Sequence, residues 1–351
     1  MDAEARIAER AGLIYENLDK PGYRRKRWGR GFFYEDPLGK RVDDRQLLRR
    51  MKSLVIPPAW KEVWINPSDR GHIQVTGRDA RGRKQYIYHP DWREISNLTK
   101  FERLAHFGRQ LPFIRRQVEK DLDGPDWSRR KTTALVIRLL DKSLVRIGNA
   151  EYEKANQSFG LTTLNQDHVE LKGNVIHLSF RGKRGKEIEV DVESVRLARM
   201  IRKCEALPGQ KLFQYRDENG DWQTLESNDV NAFLQGITGE DFTAKDFRTW
   251  GATVLAAEVF SRMNSPEITT ARKRAISRGI KEVAKQLGNT PTICRKYYVH
   301  PMILEAFENN RLFDLAAESA RSAGTNPALS VFERVVLDLL NGGETRLEQA
   351  I

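Results

Sequence analysis

Apolar residues recur along this chain at two different spacings, and the spacing changes near residue 92. Ile7, Ala11, Ile14 and Leu18 sit at helical spacing and predict a first helix over about Glu4 to Leu18. The run Lys20-Pro-Gly-Tyr-Arg-Arg-Lys-Arg then reads as a solvated basic loop. Gly31 to Tyr34 predicts a strand that runs into the turn Asp36-Pro37-Leu38-Gly39. Asp44 stands where it can cap a helix through Leu54, which Pro57-Pro58 stops. Short strands follow around Val63 to Ile65, His72 to Thr76 and Gln85 to Tyr88. From about Glu94 helical periodicity dominates, so a boundary near residues 90 to 100 divides a β-rich unit, 1–92, from a larger one, 93–351.

In the larger unit, Asp121 to Lys131 reads as a Gly/Pro/Asp loop. Val136, Leu139, Leu140, Leu144 and Ile147 then form the stripe of a strong helix. Ending it at Gly148 puts Arg146 in the last turn, where a cation suits the helix dipole. Alternation returns at Val169 to Leu171, Val175 to Phe180 and Glu187 to Val192, separated by Lys-Gly-Asn and Arg-Gly-Lys-Arg-Gly-Lys turns. That predicts a small antiparallel sheet whose second hairpin presents Lys183, Arg184 and Lys186. Further helices are expected over Ser194 to Ala206, Asn228 to Gln235, from Thr243 onward, Thr269 to Leu287, and after a loop around Pro327. The fold class is α+β: a small β-rich N-terminal domain, then a mainly helical domain with a small antiparallel sheet.

Charge narrows the partners. The 351 residues carry a net +12, with 39% hydrophobic and 31% charged residues, the balance of a globular protein that attracts polyanions. No run of eighteen apolar residues predicts a membrane span, and the charged N-terminus does not read as a signal peptide. Cys204 and Cys294 are the only cysteines, which fits a reducing, cytoplasmic setting. Core packing is the expected role of Cys294.

Three stretches carry candidate chemistry. Gly288 to His300 reads Gly-Asn-Thr-Pro-Thr-Ile-Cys-Arg-Lys-Tyr-Tyr-Val-His, a helix end, a Thr-Pro restart and a short basic helix bearing Tyr297 and Tyr298. Neighbouring positions on a helix point about 100° apart, so the two tyrosines take different roles. One of them, among Arg295 and Lys296, suits a phenol attacking a phosphate; an amphipathic helix with a packed tyrosine pair has the same pattern. Arg248 sits near the start of the helix opened by Thr243-Ala-Lys-Asp-Phe-Arg-Thr-Trp-Gly, where a cation opposes the dipole and an anionic partner is the natural reason for it. Thr76 to Tyr88 has Gly77 and Gly82 at P-loop spacing, but Arg83 stands where that motif needs lysine, so no nucleotide triphosphate site is expected. What remains is a basic turn feeding Gln85, Tyr86 and Tyr88, with the tyrosines on one face; either a nucleic-acid surface or a packed polar hairpin fits.

Taken in order, these segments resemble the small type IB DNA topoisomerases of poxviruses and bacteria, the bacterial branch above all, over nearly the whole chain. The resemblance rests on Ile-Pro-Pro-Ala-Trp, Gly-Arg-Asp-Ala-Arg-Gly-Arg-Lys-Gln-Tyr, Val-Arg-Ile-Gly-Asn, Gly-Leu-Thr-Thr-Leu, Arg-Gly-Lys, Lys-Asp-Phe-Arg-Thr-Trp and the Gly-Asn-Thr-Pro before Tyr298. It implies that Tyr298 is the nucleophile, Arg146 and Arg248 the catalytic arginines and Lys183 the hairpin lysine. Asn289 stands where the poxvirus pattern has histidine; it keeps a hydrogen-bond donor but cannot carry charge. Gln85, Tyr86, Tyr88, Asn149, Tyr152 and Lys245 fall at DNA-contact positions, Asn149 in place of a lysine.

The implied reaction relaxes positive and negative supercoils by cutting one strand through a 3'-phosphotyrosyl intermediate and resealing it. It needs no ATP, metal or other cofactor. The implied partner is double-stranded DNA, held by a C-shaped monomer that opens to load it, in the cytoplasm at the nucleoid and not at a membrane. A tyrosine site-specific recombinase shares this chemistry, but usually has histidine where Lys245 leads the Lys-Asp-Phe-Arg box. An inactive DNA-binding protein is the other alternative.

Overall fold

The computed structural model describes residues 5, 8, 9, 11–16, 18–29, 31–80, 82–263, 265–321 and 328–348, leaving aside the side chains of 93–100, 102 and 343–348. Two compact units emerge, Met1–Glu102 and Arg103–Ile351. The division falls within a long helix, α2 below, ten residues beyond the 92/93 boundary read from the sequence.

The first unit is an antiparallel sheet of five strands, β1 (Tyr23–Trp28), β2 (Gly31–Glu35), β3 (Lys61–Ile65), β4 (Ile73–Arg78) and β5 (Lys84–Tyr88), in the order β2-β1-β3-β4-β5. Helix α1 (Arg45–Ser53) starts where expected, with the Asp44 carboxylate accepting from the Gln46 and Leu47 N–H groups at 2.7 and 3.0 Å. Its Met51 enters a core made with Tyr34, Val42, Ile56, Val63, Ile65 and Val75.

Two expectations fail in this unit. The first helix does not reach Leu18: Gly12 turns the backbone at φ +63° and Ile14 bridges to Gly71. Residues 4, 6, 7, 10 and 17 of the expected helix lie outside the described residues. The basic loop over Lys20 to Arg27 is largely strand β1. Its inward position is filled by Arg25, whose guanidinium donates to the carbonyls of Ile56, Pro57 and Trp60 at 2.9 Å each and stacks 4.1 Å from the Phe32 ring centroid. A buried cation satisfied by three carbonyls does what an apolar residue does in other strands, which hides the strand from a hydrophobicity pattern.

Helix α2 (Pro90–Leu122) carries the chain through the division. The second unit continues with α3 (Arg129–Ser143) and α4 (Ala150–Asn156), then β6 (Val169–Lys172), β7 (Val175–Arg181) and β8 (Glu187–Glu193), an antiparallel sheet in sequence order. Next come α5 (Val195–Glu205), a hairpin of β9 (Gln214–Arg216) and β10 (Trp222–Thr224), and α6 (Ser227–Thr238). The rest is helical: α7 (Ala244–Ser261), α8 (Thr269–Gln286), α9 (Pro291–Tyr297), α10 (Pro301–Glu308), α11 (Arg311–Arg321) and α12 (Val331–Glu348). The β9–β10 hairpin has no counterpart in the sequence reading, since three-residue strands give alternation nothing to register. The expected loop around Pro327 lies outside the described residues.

Helices α3 and α7 form the centre. Eight residues of α3 and eleven of α7 are buried. Phe107, Phe242, Phe247 and Trp250 pack edge-to-face, with ring centroids 5.0–6.3 Å from Phe107. Gly108 makes room for Trp250; a Cβ there would stand 2.3 Å from the indole. Arg115 ties three helices together, donating to both oxygens of Asp141 on α3 at 2.9 Å and to both of Glu333 on α12 at 2.7 and 3.1 Å. Burial alone would raise the Glu333 carboxyl, but the hydrogen bonds and charge of Arg115, helped by the Ser330 N–H and Trp250 indole N–H, hold it below the usual range.

The sign of the pH effect follows. A depressed carboxyl stabilises the fold above its unfolded value, about pH 4.5, and loses that contribution as pH falls through its folded value. Glu333→Gln should therefore lower stability at pH 7 by about 1–3 kcal/mol while flattening the acid limb of the unfolding curve. Denaturant melts at pH 7 and below pH 4 check both.

Candidate active site

Helix α3 stops earlier than its apolar stripe suggests. Leu144 adopts a left-handed φ of +53° with its N–H returning to the Leu140 carbonyl, so the helix ends at Ser143. Arg146 is therefore not in a last helical turn, and the dipole does not explain it. It lies on a strap, residues 145–148, stitched to the Gly160–Thr163 turn. Leu161 N–H donates to the Arg146 carbonyl at 2.9 Å and Thr162 N–H to that of Ile147 at 2.7 Å. Gly148, at φ +102°, and Gly160 let the two segments touch; a Cβ on Gly160 would fall 2.5 Å from the Arg146 carbonyl oxygen. The backbone, not a helix end, holds Arg146.

Arg248 sits in the second turn of α7, 5% exposed. Its Nη1 donates to the Leu144 carbonyl at the end of α3 and its Nη2 to the Leu287 carbonyl at the end of α8. Among the described residues it faces no carboxylate. Burial, reinforced by the positive charge of Arg146, pushes its guanidinium below the ordinary arginine value, and the Tyr298 phenol within hydrogen-bonding reach acts the other way. The guanidinium carbon lies 5.4 Å from the Tyr298 ring centroid.

Tyr298 follows α9 rather than riding on it. Gly288, at φ +60°, closes α8; Thr290 caps α9 with Pro291 in its first turn; the helix ends at Tyr297, leaving Tyr298 as its C-cap. Tyr297 is exposed beside Lys296, while Tyr298 is half-buried against Arg248. Asn289, 8% exposed, follows Gly288, and its Oδ1 accepts from Arg146 Nη2. That contact leaves the Asn289 amide NH2 facing elsewhere. Neither Asn289 Nδ2 nor Arg248 Nε, both buried, has an acceptor among the described residues. Both donors are available to a ligand that supplies oxygens.

One cleft of about 360 Å³ is lined by Arg146, Lys183, Arg248 and Tyr298, and also by Asn149, Tyr152 and Lys245. Lys183 projects from the β7–β8 turn, with Nζ 5.3 Å from the Tyr152 ring centroid. Asn149 caps α4, accepting from the Tyr152 N–H at 3.1 Å, and Lys245 is exposed in the first turn of α7. Gln85, Tyr86 and Tyr88 lie in the other unit, on β5 at the sheet edge. The two tyrosine rings stack at 6.0 Å; Tyr86 is exposed while Tyr88 packs against Ala8, Leu13 and Trp92. Gln85 donates to Asp79 at 3.0 Å across the basic turn.

Sequence reasoning missed Thr253. This fully buried residue of α7 accepts from the His300 N–H at 3.3 Å, and its one hydroxyl proton is shared between the carbonyls of Thr249 at 2.9 Å and Tyr298 at 3.0 Å, so the helix carrying Arg248 grips the segment carrying Tyr298. The available signal was a polar residue at i+4 from Thr249 within an apolar face. Cys294 is fully buried one turn before Tyr298, and burial pushes its thiol up to about 11, which leaves it unreactive.

A phenol, two guanidiniums and an ammonium around one cleft are groups whose chemistry suits the transfer of a phosphate ester. Comparison with known proteins gives the family. Residues 89–320 match the catalytic core of eukaryotic DNA topoisomerase I, and residues 31–79 match the N-terminal domain of bacterial DNA topoisomerase IB. The DNA topoisomerase 1B of Acanthamoeba polyphaga mimivirus is 30% identical over 298 residues, which is 83% of this chain and 88% of the viral one. That of Vaccinia virus (strain Copenhagen) is 23% identical over 268 residues, 74% and 80% of the two chains. DNA topoisomerase 1 of Mycosarcoma maydis is 25% identical over 256 residues, but these are 66% of this chain and 25% of the fungal one. The chain belongs to the type IB DNA topoisomerases.

Thr253→Val should slow single-turnover strand cleavage about tenfold, the worth of one buried hydrogen bond, with DNA affinity unchanged. Thr253→Ser keeps the hydroxyl and should keep the rate. Rapid-quench cleavage beside a binding titration distinguishes them.

Proposed function

We propose that this topoisomerase works through Tyr298, with Arg146, Lys183, Arg248 and Asn289 as its phosphate-handling groups. The observation that carries the reading is a pair of buried donors without acceptors among the described residues: Arg248 Nε, whose guanidinium lies beside the phenol, and Asn289 Nδ2, whose amide meets Arg146. The Tyr298 oxygen attacks phosphorus as the bond from phosphorus to the 5'-oxygen breaks, leaving a 3'-phosphotyrosyl ester and a free 5' end. The phenolic proton leaves to solvent, and Lys183 protonates the departing 5'-oxygen, a step worth about 10²–10⁴ in rate. Arg146, Arg248 and Asn289 hold the non-bridging oxygens, where charge builds in the transition state. Resealing is the reverse: the 5'-hydroxyl gives its proton to Lys183 and displaces the phenolate, a far better leaving group than an alkoxide. Ester energy is conserved throughout, so the cycle consumes no ATP.

Between cleavage and resealing the duplex beyond the nick can turn, so supercoils of either sign relax. The +12 charge supplies salt-dependent grip on the phosphates. The sheet unit, domain 1–92 in the sequence reading, adds contacts through Gln85, Tyr86 and Tyr88; Asn149, Tyr152 and Lys245 add others at the cleft. We take the working form to be a monomer on double-stranded DNA in the cytoplasm, at the nucleoid. No helix among the described residues is long and apolar enough to cross a membrane. The recombinase reading is disfavoured by the match of residues 31–79 to a topoisomerase N-terminal domain, and the inactive-binder reading by the gathering of Arg146, Lys183, Arg248 and Tyr298 around one cleft.

Relaxation of positively and negatively supercoiled plasmid in EDTA without ATP tests the assignment. Wild type and Tyr297→Phe should relax both, and Tyr298→Phe neither, while still binding DNA. Activity surviving in Tyr298→Phe overturns the choice of nucleophile.

A further inference from the structure

Lys183 is exposed, so its place in the cleft depends on the backbone of its hairpin. That hairpin is tight: Gly182 N–H donates to the Lys186 carbonyl at 2.7 Å, Gly185 N–H to that of Gly182 at 3.0 Å, and Arg184 takes φ +67° at the tip. A turn so closed moves as one piece, and whatever anchors its base aims the lysine.

The β7–β8 ladder carries that base, and one side chain wedges against it. Ile188 on β8 stands opposite Phe180 on β7, half-buried. Gly182 has φ −88° and ψ −168°, extended backbone that any residue adopts, so conformation does not demand glycine there. Space does: a Cβ at position 182 would fall 2.7 Å from Ile188 Cγ1. The same side chain also meets Gly288, where a Cβ would fall 2.7 Å from Ile188 Cδ1. Gly182 immediately precedes Lys183, and Gly288 immediately precedes Asn289. Gly182, Lys183, Ile188, Gly288, Arg146 and Arg248 line a single hollow.

We infer that Ile188 is a positioning residue, an apolar pin between two glycines that sets the hairpin of Lys183 against the turn of Asn289. It touches no phosphate. Its action is to hold the proton donor in register with the groups that grip the same phosphate, where a misplacement of about 1 Å can cost on the order of 10² in rate. The inference rests on the proposed role of Lys183 as the acid, and the test separates the two.

The test compares two duplex substrates under single-turnover, enzyme-saturating conditions. One has the natural 5'-oxygen at the cleavage site; the other has sulfur at that bridging position. The sulfur leaves as the thiolate of a thiol with pKa about 8.5 and needs no proton. Lys183→Ala should be slow on oxygen and close to wild type on sulfur. Ile188→Ala should behave likewise in milder form, about 10- to 100-fold slower on oxygen and within about 3-fold of wild type on sulfur. Fast cleavage of the sulfur substrate also shows that Tyr298 and the arginines remain assembled in the variant. Equal slowing of Ile188→Ala on both substrates, or none on either, overturns the pin while leaving Lys183 as the acid. Lys183→Ala remaining slow on sulfur overturns the acid assignment, and the pin with it.

Discussion

The site depends on a buried arginine that the protein itself leaves without a counter-charge. Arg115 and Arg248 show the contrast within one domain. Arg115 is buried but faces Asp141 and Glu333, whose hydrogen bonds outweigh the cost of burial and hold its guanidinium above the ordinary value. Arg248 is more deeply buried, donates to two carbonyls beside the Tyr298 phenol and the positive charge of Arg146, and is pushed down. Removing a charge from water without pairing it costs several kcal/mol, and the rest of the fold must sustain that cost. Carbonyls at the ends of α3 and α8 fix the guanidinium's position without neutralising it. In the proposed function a phosphodiester supplies what is missing, a negative charge and oxygen acceptors for Arg248 Nε and Asn289 Nδ2.

The groups around that arginine come from separate parts of the chain, and backbone joins them as much as side chains do. Arg146 rides on a strap hydrogen-bonded to the Gly160–Thr163 turn. Tyr298 is gripped from α7 through Thr253, and Asn289 is oriented by Arg146. Gly148, Gly160 and Gly182 mark places where chain segments approach too closely for a Cβ. The site is thus buried around Arg248 and Asn289 and open where Lys183 and Tyr152 meet solvent.

Much of this was legible in the sequence, for physical reasons. Asp44 and Thr290 announce helix starts through their own side chains, and the β6–β8 alternation is long enough to register. Arg146 illustrates the opposite case. Its apolar stripe runs on through Leu144 and Ile147, but Leu144 turns left-handed and the segment leaves the helix, an outcome set by tertiary hydrogen bonds that periodicity cannot encode. Strand β1 escaped because Arg25 occupies an inward position with its charge satisfied by carbonyls. The candidate catalytic residues were found through ordered motifs, whereas Thr253 and Ile188 act only through what they touch. Tyr298, in turn, is separated from Tyr297 by the helix end, which directs one ring to Lys296 and the other to Arg248.

The most direct test of the account is chemical identification of the covalent bond. Wild-type enzyme is denatured during turnover on a defined duplex, digested with protease and nuclease, and its nucleotide-bearing peptide is sequenced by mass spectrometry. The account predicts one adduct, on Tyr298, joined through a DNA 3'-phosphate. An adduct on Tyr297, or one joined through a 5'-phosphate, contradicts it.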